Sequence, residues 1–175
     1  MRRLLLLRHA KAERSRAGEG DHERLLAARG RDDAPKLGAY LVRHAFMPNL
    51  VVVSTSARTR ETWELAATAF EDLPQVKFDE RIYEAGPQAI LKVIQEIGSE
   101  IGTLLVIGHN PGLQELAALL VAVGDSDALR RLKEEFPTAA LAVINFMVED
   151  WNRVHQRAGR LEHFVTPRTL VPATD

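Results

Sequence analysis

Arg8 and His9 directly follow four consecutive leucines, Leu4 to Leu7. A short continuous apolar run is how a strand buried on both faces of a parallel sheet reads, and such sheets bind ligands just beyond their strand carboxyl ends. Two further segments repeat the arrangement. Leu50 to Val53 precedes Ser54, Thr55, Ser56, Ala57, Arg58, Thr59, Arg60, Glu61 and Thr62; Leu104 to Ile107 precedes Gly108, His109, Asn110, Pro111 and Gly112. As parallel neighbours, the three strands bring Arg8, His9, Arg58 and His109 to one edge of one sheet. A neutral histidine can accept a phosphoryl group on a ring nitrogen and later release it to water. Planar guanidinium forks match the charge that spreads over the phosphoryl oxygens in transfer. His9, fixed beside Arg8, is the candidate nucleophile. Arg8 and Arg58 are candidate phosphate ligands, with His109 donating a hydrogen bond to a phosphate oxygen.

Arg58 carries a second signal. A cation in the first turn of a helix opposes the macrodipole, so a helix that starts with it is expected to hold an anion there. Ser54, Thr55 or Ser56 could cap this helix. Thr62, four residues beyond Arg58, lies on the same helical face, where its hydroxyl could orient the guanidinium. A metal held by His9 and His109 is the chemical rival, but the nearby arginines disfavour a divalent cation and no histidine pair has helical ligand spacing.

The elements that must hold these residues alternate between strand-like and helical periodicity, which predicts an α/β sandwich with a mostly parallel central sheet. Residues 10–21 are rich in charge and glycine and read as a mobile surface loop that starts beside the site. Helices are predicted over 32–46, with Pro35 in the first turn and Leu37, Tyr40, Leu41 and His44 along one face, and over 57–70 and 87–97. A further helix is expected after Asn110 as cap, with Pro111 at its first position and Leu113, Leu116, Ala117 and Leu120 in register. A short helix over 127–135, a strand over 139–148 and an edge strand over 159–165 complete the reading. Trp63 and Trp151 read as packing residues, His44 as packed or solvent-facing on its helix, and His22, His155 and His163 as surface residues.

With 175 residues the chain is expected to form one domain, residues 1–175, around one core. Hydrophobic residues make up 46% and charged residues 27%, as in an ordinary globular protein, and a formal charge of -1 argues against a general nucleic-acid or anionic-membrane binder. The absence of cysteine excludes disulfides, thiolate catalysis and cysteine-bound metal. The apolar run after Met1-Arg2-Arg3 is too short for a signal peptide and no later segment reads as a membrane span, so the expected location is cytoplasmic.

Together the motifs resemble the histidine phosphatase superfamily, also called phosphoglycerate mutase-like, and in particular its small SixA-type phosphohistidine phosphatase branch, over nearly the whole chain. The carriers are Arg8-His9-Ala10-Lys11-Ala12, Ser54 to Thr62 with Arg58 and Thr62 in the family spacing, Gly108-His109-Asn110-Pro111, and Phe136-Pro137-Thr138-Ala139-Ala140-Leu141-Ala142. The resemblance implies a three-layer α/β/α sandwich, a phosphorylated His9, and a phosphate pocket of Arg8, Arg58 and His109. No cofactor or metal is implied. Several positions depart from the family pattern. Ala10 stands where the superfamily usually has glycine, Thr55 where proline often follows the serine, and Arg24-Leu25-Leu26-Ala27 where the branch has Arg-Pro-Leu-Thr, with Arg24 a candidate substrate contact. Larger relatives carry an acid for the leaving group; Glu80 resembles that position, or it is a charge paired with Arg81 or another neighbour.

The short chain leaves little room for insertions over the pocket, which favours a substrate carried on a protein. The expected activity is metal-independent dephosphorylation of phosphohistidine on a phosphotransfer protein, a signal-transduction role, by a monomer with no nucleic-acid or membrane partner. A small-molecule phosphomonoesterase and a phosphoprotein-binding module with little turnover are the alternatives.

Overall fold

The computed structural model describes residues 1–170. Its strands are β1 (Arg2–Arg8), β2 (Leu50–Val53), β3 (Gln75–Phe78), β4 (Thr103–Gly108), β5 (Val121–Gly124), β6 (Leu141–Phe146) and β7 (Gly159–Val165). The helices are α1 (Ala28–Arg43), α2 (Ala57–Ala66), α3 (Pro87–Gln95), α4 (Gly112–Leu120), α5 (Ser126–Glu134) and α6 (Pro167–Leu170). One sheet runs in the order β3-β2-β4-β1-β6-β7-β5. It is mostly parallel: β6 runs against both its neighbours, and every other ladder is parallel.

Strand alternation divides the core between two faces. Leu5, Leu7, Val51, Val53, Leu105 and Ile107 point to Leu37 and Leu41 of α1 and to Trp63 and Ala66 of α2. Leu4, Leu6, Val52, Leu104 and Val106 point to Ile90 and Ile94 of α3, Leu113 and Leu116 of α4, and Leu132 of α5. Helices therefore cover both faces, giving the expected α/β/α sandwich. Leu4 to Leu7 are all completely buried, as the unbroken apolar run requires. Trp63 and Trp151 are both core residues.

Register sets the level at which the motifs emerge. Leu7 and Val53 both pair with Ile107, and Arg8 pairs with Gly108. The ladders continue one step past the strands, with the His9 N–H donating to Gly108 O (3.1 Å) and the Ser54 N–H to Ile107 O (3.0 Å). Because β6 is antiparallel, its start lies at this same edge, where the Ala139 N–H donates to the carbonyls of Arg8 and His9.

Several boundaries differ from the sequence expectation. α1 begins at Ala28 rather than Asp32, so Pro35 lies inside the helix and not in its first turn. Residues 28–33 carry no apolar stripe and Ala27 offers no side-chain cap, so no local signal marks that start. The helix is held instead by close packing: a Cβ at Gly30 would sit 2.1 Å from Lys11 O, and one at Gly38 would sit 2.0 Å from Ala66 O. Only glycine lets α1 approach the backbone that follows His9 and the end of α2. Asn110 does not cap α4; its Nδ2 donates to Phe136 O (2.9 Å), Pro111 takes the cap position, and no side-chain cap bond forms.

α2 passes into a 3-10 turn over Ala67–Ala69, α3 ends at Gln95, and α5 starts one residue early behind an Asp125 cap. β6 is shorter than the expected 139–148, because Pro137 to Ala140 form a turn closed by the Ala140 N–H donating to Pro137 O. β7 has the expected bounds but is internal, paired with β6 and β5. The true edges, β3 and β5, were not anticipated. β3 is exposed at every position, and β5 is four residues that follow α4 without a break with only Val121 buried, so neither produces a readable alternation. Residues 10–21 run largely over the surface, as expected, and the loop is anchored at its base by an Ala12–Leu26 bridge and by the Glu13 N–H donating to Leu25 O.

Candidate active site

At the shared strand edge a cavity of about 220 Å³ is lined by Arg8, His9, Lys11, Ala12, Arg24, Arg58, His109, Asn110 and Thr138. The topology thus brings together Arg8, His9, Arg58, His109 and Arg24 from four separate stretches of chain. Larger clefts of about 470 and 420 Å³ lie around Pro137, Thr166 and Arg168, but they hold no histidine. Of these three, only the small cavity is lined by histidines.

His9 is 7% exposed, and its Nδ1 lies 2.8 Å from Ala10 O. A carbonyl only accepts, so Nδ1 carries the proton and Nε2 keeps its lone pair. Burial pushes the His9 imidazole down to about 3, against the stabilising pull of the Ala10 carbonyl, with His109, Arg58 and Arg8 adding repulsion. The ring is therefore neutral at pH 7. Ala10 is itself fixed, because its N–H donates to Thr62 Oγ1 (3.0 Å), whose hydroxyl donates to Arg58 O (2.7 Å). Thr62 holds the backbone beside His9 and not, as anticipated, the Arg58 guanidinium.

Arg58 is 5% exposed in the first turn of α2, behind a Ser56 cap whose Oγ accepts from the Thr59 N–H. The anion expected at this helix start is a side chain of the protein itself. Arg58 Nη1 donates to Asp21 O (2.8 Å) and Nη2 to Asp21 Oδ2 (3.1 Å). The Tyr83 hydroxyl donates to the same oxygen, and Arg24 donates to Oδ1. Tyr83 chiefly, then Arg58 and Arg24, hold the Asp21 carboxyl down at about 2 against partial burial. Arg58 and Arg24 therefore enter the cavity wall as a braced pair.

His109 sits 5.4 Å from the His9 ring, centroid to centroid. Its Nδ1 lies 3.2 Å from Arg58 Nη2 and its Nε2 lies 2.7 Å from Ser54 Oγ. Burial, with Arg58 second, pushes it down to about 4, so it too is neutral at pH 7. Arg8 Nη1 donates to Phe136 O (3.0 Å), the carbonyl that also receives Asn110 Nδ2.

Glu80 does not join this group. It is exposed at the start of a 3-10 turn (Glu80–Ile82) and is not among the residues lining the cavity. Nor does it pair with Arg81, which binds Asp79 and Glu96. Among the described residues no Asp or Glu lines the cavity. Among the described residues no group of three or more His, Asp or Glu side chains could hold a metal ion, and no helix is long and apolar enough to cross a membrane. The other histidines are elsewhere or peripheral: His22 is at the rim with Nε2 near Thr55 Oγ1 (2.9 Å), His155 is exposed, and exposed His44 stacks on Phe46. His163 is less open than a surface residue; it is half-buried beside the Tyr40 hydroxyl.

Sequence reasoning did not single out Asp21, Ser54 as a histidine partner, Tyr83 or Thr138. Thr138 had a signal, since it lies within the fourth motif; the others meet the site only through tertiary contacts.

The histidine phosphatase superfamily (branch 1) model matches residues 4–96. An uncharacterised protein of Mycobacterium tuberculosis is 35% identical over 164 residues, covering 93% of this chain and all of the relative. Among solved structures, SixA of Nakamurella multipartitia, assigned as a phosphohistidine phosphatase, superposes with a TM-score of 0.83 at 28% identity, over 95% of this chain and 96% of that one. SixA of Agrobacterium tumefaciens, with the same assignment, gives 0.79 at 29% identity, over 95% and 99%. With this fold, and with the Arg-His motif closing its first strand, the chain belongs to the histidine phosphatase superfamily, in the SixA-type branch.

Proposed function

We propose that this protein is a metal-independent phosphatase that removes phosphoryl groups from phosphohistidine on a phosphotransfer protein, as a single domain using His9 as nucleophile. The observation that carries the reading is a cavity rich in cationic donors that offers a neutral, tautomer-fixed histidine but no carboxylic acid. The phosphohistidine assignment of the two SixA proteins points the same way.

The chemistry follows from the lining. His9 Nε2 attacks phosphorus as the bond to the leaving nitrogen breaks, and the growing positive charge on the ring is stabilised by the Ala10 carbonyl at Nδ1. Arg8 and Arg58 neutralise the equatorial oxygens. Water then attacks the phosphohistidine, phosphate departs, and the neutral ring is restored. An imidazole can leave already protonated, so it needs no acid from the enzyme; an alkoxide does, and an acid is worth roughly 10²-fold or more to it. Lys11 and Arg24 at the cavity wall suit an acidic surface around the phosphorylated residue.

The test is a metal-free comparison of kcat/KM for a phosphohistidine phosphotransfer protein, an aryl phosphate and an alkyl phosphate, with wild type and Glu80→Gln. The expected order is phosphohistidine, aryl, alkyl, with all three unchanged within about twofold by the substitution. A preference for the alkyl ester, or its selective collapse in Glu80→Gln, overturns the assignment.

A further inference from the structure

Ser54 is completely buried at the end of β2, and its Oγ meets His109 Nε2 at 2.7 Å. A serine hydroxyl can give or take a proton, so this contact alone leaves the His109 tautomer open. The other nitrogen closes the question. Nδ1 faces Arg58 Nη2 at 3.2 Å, and a guanidinium nitrogen only donates, so Nδ1 is an acceptor and the single proton lies on Nε2, donated to Ser54. Ligand-free His109 therefore has no N–H to offer an oxyanion: one nitrogen is turned to buried Ser54 and the other holds a lone pair toward Arg58. A lone pair facing a phosphate oxygen would repel it.

We propose that Ser54 is a positioning residue that accepts the His109 Nε2 proton while Arg58 keeps Nδ1 unprotonated, so that a tetrahedral dianion entering the cavity draws Arg58 Nη2 away and loads a second proton onto Nδ1. The inference rests on the reading of this cavity as a phosphate site. The proton comes from solvent, and the imidazolium then donates to Ser54 through Nε2 and to the anion through Nδ1. Without an anion the charged ring is opposed first by burial, then by Arg58 on α2, Arg8 on β1 and His22 in the 3-10 turn Asp21–Glu23, and favoured by Asp21 of that turn; His9 and Tyr83 also pack against it. A bound dianion reverses that balance.

Sulfate is the probe, because it carries no proton of its own in the working range. In full-length protein with ¹⁵N-labelled histidine, His109 is expected to show the Nε2–H tautomer at pH 7 and to become doubly protonated on saturation with sulfate. By linkage the sulfate Kd should rise about tenfold per pH unit wherever the free ring is neutral and the bound ring charged. His22→Gln, at the rim, should keep this dependence. Ser54→Ala leaves the free ring protonated on Nε2 opposite Arg58 but removes the acceptor that the imidazolium needs there, so it should flatten the dependence, and Ser54→Thr, which keeps the hydroxyl, should restore it. Sulfate saturation with Nδ1 still unprotonated overturns the proposal. Sulfate that leaves the His9 and His109 signals unmoved at any concentration removes the phosphate site itself, a separate failure.

Discussion

Thr62→Val isolates the contact that steadies the backbone beside His9, the proposed nucleophile. Thr62 is 1% exposed, and its hydroxyl is the acceptor for the Ala10 N–H. Arg58 O is in the interior of α2, so it keeps its helical partner when the hydroxyl is lost; the Ala10 N–H is left buried and unpaired. That orphan costs about 1–3 kcal/mol, offset by up to about 0.8 kcal/mol for the added apolar group, so a net loss of about 1–2 kcal/mol is expected. For a chain of this length that lowers Tm by roughly 2–8 °C. Thr62→Ser gives a comparable loss by removing a methyl group, but it preserves the hydrogen bond. The two variants should therefore match in Tm and differ in rate. Because the Ala10 carbonyl sets the His9 tautomer, Thr62→Val should slow single-turnover phosphorylation about tenfold or more, and Thr62→Ser should leave it near wild type. Equal rates for the two variants would refute the coupling from Thr62 through Ala10 to His9.

Arg58→Lys keeps the charge but loses the fork that reaches the Asp21 backbone carbonyl, Asp21 Oδ2 and His109, so kcat should fall by about 10²–10³, measured with an aryl phosphate; unchanged kinetics would reduce Arg58 to a structural cation. His9 and His109 are held at about 3 and about 4, below the ordinary 6.5 that the unfolded chain regains. Between pH 7 and pH 5 the unfolded state thus binds protons the folded state does not, and stability falls as pH falls, by about 2 kcal/mol for each ring. Urea denaturation at the two pH values checks this, and a flat profile contradicts it.

What could be read from the sequence follows from where the physics is local. Leu4 to Leu7 and Leu104 to Ile107 announce buried strands by composition alone, and the residues that follow them stand at the ligand edge by the rule for open parallel sheets. The four central residues were legible for that reason. Ser54 and Asp21 were not, because their roles depend on partners 55 and 37 residues away, His109 and Arg58. The start of α1 was missed because its determinants are two close backbone approaches, at Gly30 and Gly38, rather than a cap or an apolar stripe. Glu80 shows the opposite failure: motif position suggested an acid, while the exposed turn that carries it keeps the carboxylate out of the cavity.

The proposed phosphatase activity stands or falls with His9 carrying the phosphoryl group through turnover. Rapid quench of the protein with a radiolabelled phosphohistidine phosphotransfer protein should trap one acid-labile, base-stable adduct, which peptide mapping places on His9 and ¹⁵N NMR on Nε2, the nitrogen left free by the Ala10 carbonyl. His9→Ala should form no adduct and lose turnover while retaining its fold. An adduct on another residue, or full turnover by His9→Ala, would contradict the account.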